Sequence, residues 1–117
     1  MKAIFVLEGT LQIDRGNVDE RASEPLEALH TDGIEIVIFS VRPGPEQWLK
    51  QKRIKYNSLL TRPENDLTSD VELKKRWLDD YDKDDILCVF DNDKQAADMF
   101  RQEGLIVFQY NSEEVIR

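Results

Sequence analysis

One cysteine, one histidine and a shortage of positive charge set the first limits on this 117-residue chain. A lone cysteine, Cys88, cannot form an internal disulfide. Its place inside Ile86-Leu87-Cys88-Val89-Phe90 reads as a small core residue rather than a reactive thiol. A reducing, cytoplasmic setting is expected. With His30 as the only imidazole, no second histidine can complete a His-based metal set, and a helix-end position is expected for it. No apolar stretch approaches the roughly 18 residues that would span a bilayer. The N-terminus runs straight into an apolar strand without signal-peptide features, so no leader is expected. Lys and Arg number 16 against 24 Asp and Glu, a net charge of -8. That balance works against strong binding to duplex DNA, which depends on neutralising phosphates. The one concentrated basic segment, Lys50-Gln51-Lys52-Arg53-Ile54-Lys55, suits the negative end of a helix, with a phosphate-guiding patch as the alternative. Repeats, low-complexity stretches and linkers are absent, so residues 1–117 read as a single domain.

Short apolar runs alternate with amphipathic stretches. Strands are expected at Ala3 to Leu7, Ile34 to Ser40, Ser58 to Thr61, Ile86 to Phe90 and Leu105 to Tyr110. Rich in Ile, Val, Leu and Phe without strict alternation, most read as strands buried on both faces. Helices are expected at Glu24 to His30, ending at Asp32-Gly33, and at Pro45 to Lys52, where a proline suits the first turn. Ser69-Asp70-Val71-Glu72 is a capping box opening a third helix, with Val71, Leu73, Trp77 and Leu78 broadly on one face. A fourth runs from Lys94 to Glu103, with Ala96, Ala97, Met99 and Phe100 inward and Gly104 as its cap. A short fifth is expected after Ser112. This alternation predicts an α/β layered fold around a parallel sheet of about five strands.

In such sheets ligands bind beyond the carboxyl ends of the strands. Glu8-Gly9-Thr10, Ser40-Val41-Arg42, Arg62 and Asp91-Asn92-Asp93 all follow strand ends, and Lys74 and Lys75 can reach the same edge. Each also has a plain structural reading. Ser40 and Thr10 can cap turns, and Asp91 or Asp93 can cap the fourth helix. Lys74 and Lys75 can belong to a solvated face balanced by Glu72 and Asp79, and Trp48 and Trp77 fit one-sided helix packing.

The ordered set resembles the haloacid-dehalogenase-like (HAD) superfamily, most closely the phosphatase half of phage polynucleotide kinase/3'-phosphatase. Phe5-Val6-Leu7-Glu8-Gly9-Thr10 is similar to that family's Asp-x-Asp-Gly-Thr strand end. Ile36-Val37-Ile38-Phe39-Ser40-Val41-Arg42-Pro43 resembles its second motif. Leu59 to Pro63 with the helix Asp70 to Leu78 resembles its Arg-Pro segment and Lys-bearing helix, and Val89-Phe90-Asp91-Asn92-Asp93 its last motif. The resemblance implies a HAD-like Rossmannoid three-layer fold. The short stretch from Leu11 to Glu24 leaves no room for a sizeable cap domain, as in the open type that admits a nucleic-acid end. It further implies that Ser40 hydrogen-bonds phosphate, Lys74 neutralises charge, Asp91 binds Mg2+, Gly9 and Thr10 belong to the ligand-binding set and Thr10 helps orient the catalytic loop. Arg42 and Arg62 would contact the ligand. Val6 would occupy the nucleophile position, and Glu8 that of the general acid/base and a metal ligand. Asn92 stands where Asp is usual.

These departures shape the functional expectation. Valine has no lone pair with which to form an aspartyl-phosphate, and magnesium affinity is weakened or lost with one oxygen ligand gone. Glu8 displaces its oxygens by about an ångström relative to Asp, a shift that can cost about a hundredfold in rate. The expected function is that of a pseudophosphatase acting as a binding or regulatory protein for a protein partner or a phosphorylated ligand. The alternative is a weak Mg2+-dependent phosphatase acting on nucleotide or nucleic-acid 3'-phosphates. Nucleic-acid mimicry by the acidic surface is a third reading.

Overall fold

The structure, a computed structural model, describes residues 1–110. The short helix expected after Ser112 lies outside the described residues. Strands β1 (Lys2–Val6), β2 (Glu35–Ser40), β3 (Ser58–Thr61), β4 (Ile86–Phe90) and β5 (Val107–Phe108) form one sheet in the order β3-β2-β1-β4-β5. Every pairing is parallel. Helices α1 (Glu20–Thr31), α2 (Glu46–Gln51), α3 (Asp70–Leu78) and α4 (Lys94–Gln102) connect them.

Side chains alternate across each strand, and the alternation builds two cores. On one face Ile4, Val6, Val37, Phe39 and Val89 meet Leu73, Trp77 and Leu78 of α3 and Ala96 and Phe100 of α4. On the other, Ala3, Phe5, Leu7, Ile36, Ile38, Cys88 and Phe90 meet Ala22 and Leu26 of α1 and Leu49 of α2. The result is the three-layer α/β/α arrangement of the HAD-like fold, with β1 central. Each fully buried Phe, Ile, Leu or Val side chain contributes roughly 1.5–3 kcal/mol.

Several boundaries differ from expectation, most by a single residue. Helix α1 begins at Glu20, before Glu24, because Asp19 caps it by accepting a hydrogen bond from the Arg21 N–H. The last strand is confined to Val107–Phe108. Beyond it the Tyr110 N–H donates to the Asn92 side chain rather than to a strand. Strand β1 is assigned to Val6, one residue short, although the Leu7 N–H still donates to the Phe39 carbonyl. The capping serine of α3 is as expected, its hydroxyl accepting from the Glu72 N–H, and Gly104 follows α4 with φ +87°.

Candidate functional site

Strands β2, β1 and β4 are neighbours and parallel, so the segments that follow them share one edge of the sheet. After β1 the chain reverses at once, with the Leu11 N–H donating to the Val6 carbonyl and the Gln12 N–H to that of Leu7. Gly9 makes this turn with φ +77°, a conformation costly for any residue with a Cβ. Thr10 is fully buried, and its hydroxyl oxygen accepts from the Asn92 N–H at 3.1 Å. The Asn92 side chain donates to the Gly9 carbonyl at 2.9 Å, so the β1 and β4 loops are clasped from both sides.

Two polar pairs occupy this edge. Glu8 accepts from the Ser40 hydroxyl at 2.7 Å through Oε2 and from the Val41 N–H at 2.9 Å through Oε1. Ser40 is fully buried and also lies 2.9 Å from the Arg42 carbonyl. In the second pair, Lys74 Nζ donates to Asp91 Oδ2 at 2.9 Å, with side-chain exposures of 3% and 0%. The solvated-face alternative for Lys74 is therefore overturned. Leu73, Lys74, Trp77 and Leu78 form the buried face of α3, and the ammonium is carried inward with it. Lys75 takes the outer position, paired with Asp79 at 3.0 Å. Burial pushes the Asp91 carboxyl above the usual range, while the ammonium of Lys74 and the Asp93 N–H pull it back. Asp93 caps α4 by accepting from the Ala96 N–H.

The two arginines behave differently. Arg62 Nε donates to the Val41 carbonyl at 2.7 Å, and its other nitrogens reach the Asp66 and Thr68 carbonyls and the Asp70 carboxylate. It staples the β3–α3 loop to the end of β2. Arg42 is exposed, forms no ion pair among the described residues, and lines a cleft of ≈570 Å3 beside Glu8 and Gly9. The same cleft takes in Arg15, Asp19 and Arg21, which the sequence did not mark. The available signal was the polar turn Asp14-Arg15-Gly16 directly after the β1 loop. Arg21 pairs with Asp19 at 2.8 Å and stacks over Tyr110 at 4.2 Å. Burial and the nearby Asp19 charge push the Tyr110 hydroxyl up to about 12.

Comparison with known proteins interprets this edge. The sequence profile of the polynucleotide kinase PNKP phosphatase domain, a HAD family, matches residues 9–114. The chain belongs to this family. Among solved structures, a chain in a structure of the Pnkp1/Rnl/Hen1 complex is 25% identical with a TM-score of 0.85, covering 94% of this chain and 45% of its own. A chain of the Pnkp1/Rnl/Hen1 RNA repair complex matches equally well, with 42% of it covered. The PNKP-type domain described here thus spans less than half the length of those chains. An uncharacterized protein from Corynebacterium glutamicum shares the fold at 20% identity and a TM-score of 0.65, with coverage of 97% of this chain and 87% of that one. No curated protein matches.

HAD phosphatase domains typically use Mg2+, and the residues present here fit it poorly. Magnesium demands near-octahedral oxygen coordination. Val6 ends β1 without a donor atom and is fully buried among apolar side chains. Both Glu8 oxygens already accept hydrogen bonds, and so do both of Asp91. Among the described residues no three His, Cys, Asp or Glu side chains converge.

Proposed function

We propose that this PNKP-type phosphatase domain no longer turns over phosphate esters and works as a binding or regulatory protein for a protein partner or a phosphorylated ligand. The observation that carries the reading is Val6, a fully buried hydrocarbon at the end of the central strand, where the family resemblance puts the attacking carboxylate. Phosphoryl transfer through an aspartyl-phosphate needs an oxygen nucleophile in line with phosphorus. Loss of a covalent nucleophile can cost on the order of a millionfold in rate. Glu8 is no substitute, because Ser40 and Val41 hold it. Without the nucleophile and a metal, Lys74 and Asp91 neutralise one another and form part of the core rather than a reaction centre.

The partner side of the reading draws on two observations. Two of the structural relatives come from a multi-protein complex, and a net charge of -8 suits a basic partner surface. We assign residues 1–117 to one domain working in a reducing, cytoplasmic setting, which fits the buried free thiol of Cys88. Burial pushes that thiol up to about 11, so it is protonated at neutral pH. A second reading has one observation in its favour. Ser40, Lys74 and Asp91 remain at one edge, as a weak Mg2+-dependent phosphatase for nucleotide or nucleic-acid 3'-phosphates would need.

The deciding experiment compares the wild type with Val6→Asp/Glu8→Asp on a generic phosphate ester and a 3'-phosphorylated oligonucleotide, with magnesium. The wild type releases no phosphate above background. The folded double variant gains weak, magnesium-dependent turnover, because it regains the attacking atom, a metal ligand and an acid of the usual length. Wild-type turnover that vanishes on Asp91→Asn would sink the pseudophosphatase reading and establish the second one.

A further inference from the structure

We propose that Glu8 is the resident ligand of the site. Its carboxylate fills the anion cradle at the end of β2, and a phosphorylated molecule enters only by displacing it. The inference rests on the preceding reading of the site as a phosphatase remnant and names what has taken the phosphate's place.

The cradle consists of a hydroxyl and a backbone N–H, side by side at the carboxyl end of a parallel strand, where such sheets receive their ligands. The two donors converge on the two oxygens of one planar anion, at 2.7 Å for Ser40 and 2.9 Å for Val41. Hydroxyl and backbone N–H donors are equally suited to phosphoryl oxygens. The fully buried Ser40 has no exposed side from which a second anion could approach it.

Glu8 reaches this position because of its length and the turn beneath it. The Gly9 turn is closed by the Gly9 N–H donating to the Gln12 carbonyl at 2.9 Å, which holds the Glu8 backbone at the mouth of the cleft. The extra methylene relative to Asp then carries the carboxylate across to β2. Glu8 is half-buried and borders the ≈570 Å3 cleft, so its side chain has space into which to swing. Arg42, without an ion pair among the described residues, lines the same cleft and offers positive charge to an incoming anion.

Addition without displacement is ruled out by charge, because two anions cannot share donors within about 3 Å of each other unless one takes up a proton. Ejecting Glu8 breaks two charge-assisted hydrogen bonds, which lowers apparent phosphate affinity by about a hundredfold or more.

The test uses inorganic phosphate as the probe, followed by calorimetry and by the Val41 amide resonance, on the full chain. Wild type, Glu8→Ala, Glu8→Gln and Glu8→Ala/Ser40→Ala are compared after each is shown to unfold cooperatively. Glu8→Ala should bind phosphate more tightly than wild type by about a hundredfold or more, and Ser40→Ala in that background should remove the gain. Glu8→Gln keeps the side-chain volume and should show a smaller gain in the same direction, and it decides the matter if Glu8→Ala does not fold. Equal phosphate affinity in wild type and the folded Glu8 variants would overturn the proposal. Ester turnover by the wild type is a separate result and would sink only the preceding reading.

Discussion

Lys74 and Asp91 form an ion pair with almost no contact with water, at 2.9 Å and 3% and 0% exposure. Such a pair adds little over an apolar equivalent, but removing one partner strands the other charge in the core. Lys74→Met should therefore cost about 3–5 kcal/mol of stability. The double variant Lys74→Met/Asp91→Asn should recover at least half, since the neutral amide that replaces the carboxylate can still accept from the Asp93 N–H. Urea unfolding of the three proteins checks this, and a double variant as unstable as the single one would contradict it. At this scale the sequence marked Glu8, Ser40, Lys74 and Asp91 as neighbours, because strand ends can be located from apolar runs. It left open whether Lys74 pointed inward, since a lysine between Leu73 and Lys75 fits either face of α3. It gave Arg62 a ligand contact, whereas the guanidinium is engaged by its own loop. That outcome depends on where the Asp66 and Thr68 carbonyls turn, which no motif records.

The start of α1 shows how a cap outweighs a local breaker. Pro25 lies in the second turn, although proline is favoured in the first, and the expected start at Glu24 falls inside the helix. The actual start is set by Asp19, whose carboxylate accepts from the Arg21 backbone at 3.0 Å and from its guanidinium at 2.8 Å. Hydrogen bonding to Arg21 holds the Asp19 carboxyl below the usual range, against the opposing effect of burial. A depressed folded value contributes stability above the unfolded pKa of about 3.9, and that stability is lost as pH falls through the folded value. Asp19→Ala should cost about 1 kcal/mol at pH 7, and the deficit should shrink below about pH 4. Urea titrations at neutral and acid pH measure it, and a deficit that persists unchanged at low pH would exclude the carboxylate as its source. The other elements were legible for reasons seen in their residues. Ser69 and Gly104 mark helix ends chemically, and Ile36 to Phe39 is too apolar for anything but a doubly covered strand. The short β5 was overextended because apolarity in Leu105 to Phe108 does not reveal how far a partner strand runs.

At the scale of the molecule, the donor set argues that folding owes nothing to a divalent ion. A ligand that binds only the native state at a hundred times its Kd adds about 2.7 kcal/mol, a shift of several degrees in Tm for a chain of this size. Excess Mg2+ and excess EDTA should therefore give the same Tm to within about a degree. A rise of several degrees in magnesium would show a metal site that the present geometry does not provide. The fold class was legible because it is written in alternation and burial. The order β3-β2-β1-β4-β5 has a different consequence, one that concerns time. Lys2 pairs with Glu35 on one side and with Ile86 on the other. At the usual 5–20 residues per second, β4 follows β1 out of the ribosome by roughly ten seconds. Through that interval the central strand has at most one neighbour and an open, strongly apolar edge. The nascent chain is thus most in need of shelter at the strand that the finished protein protects best.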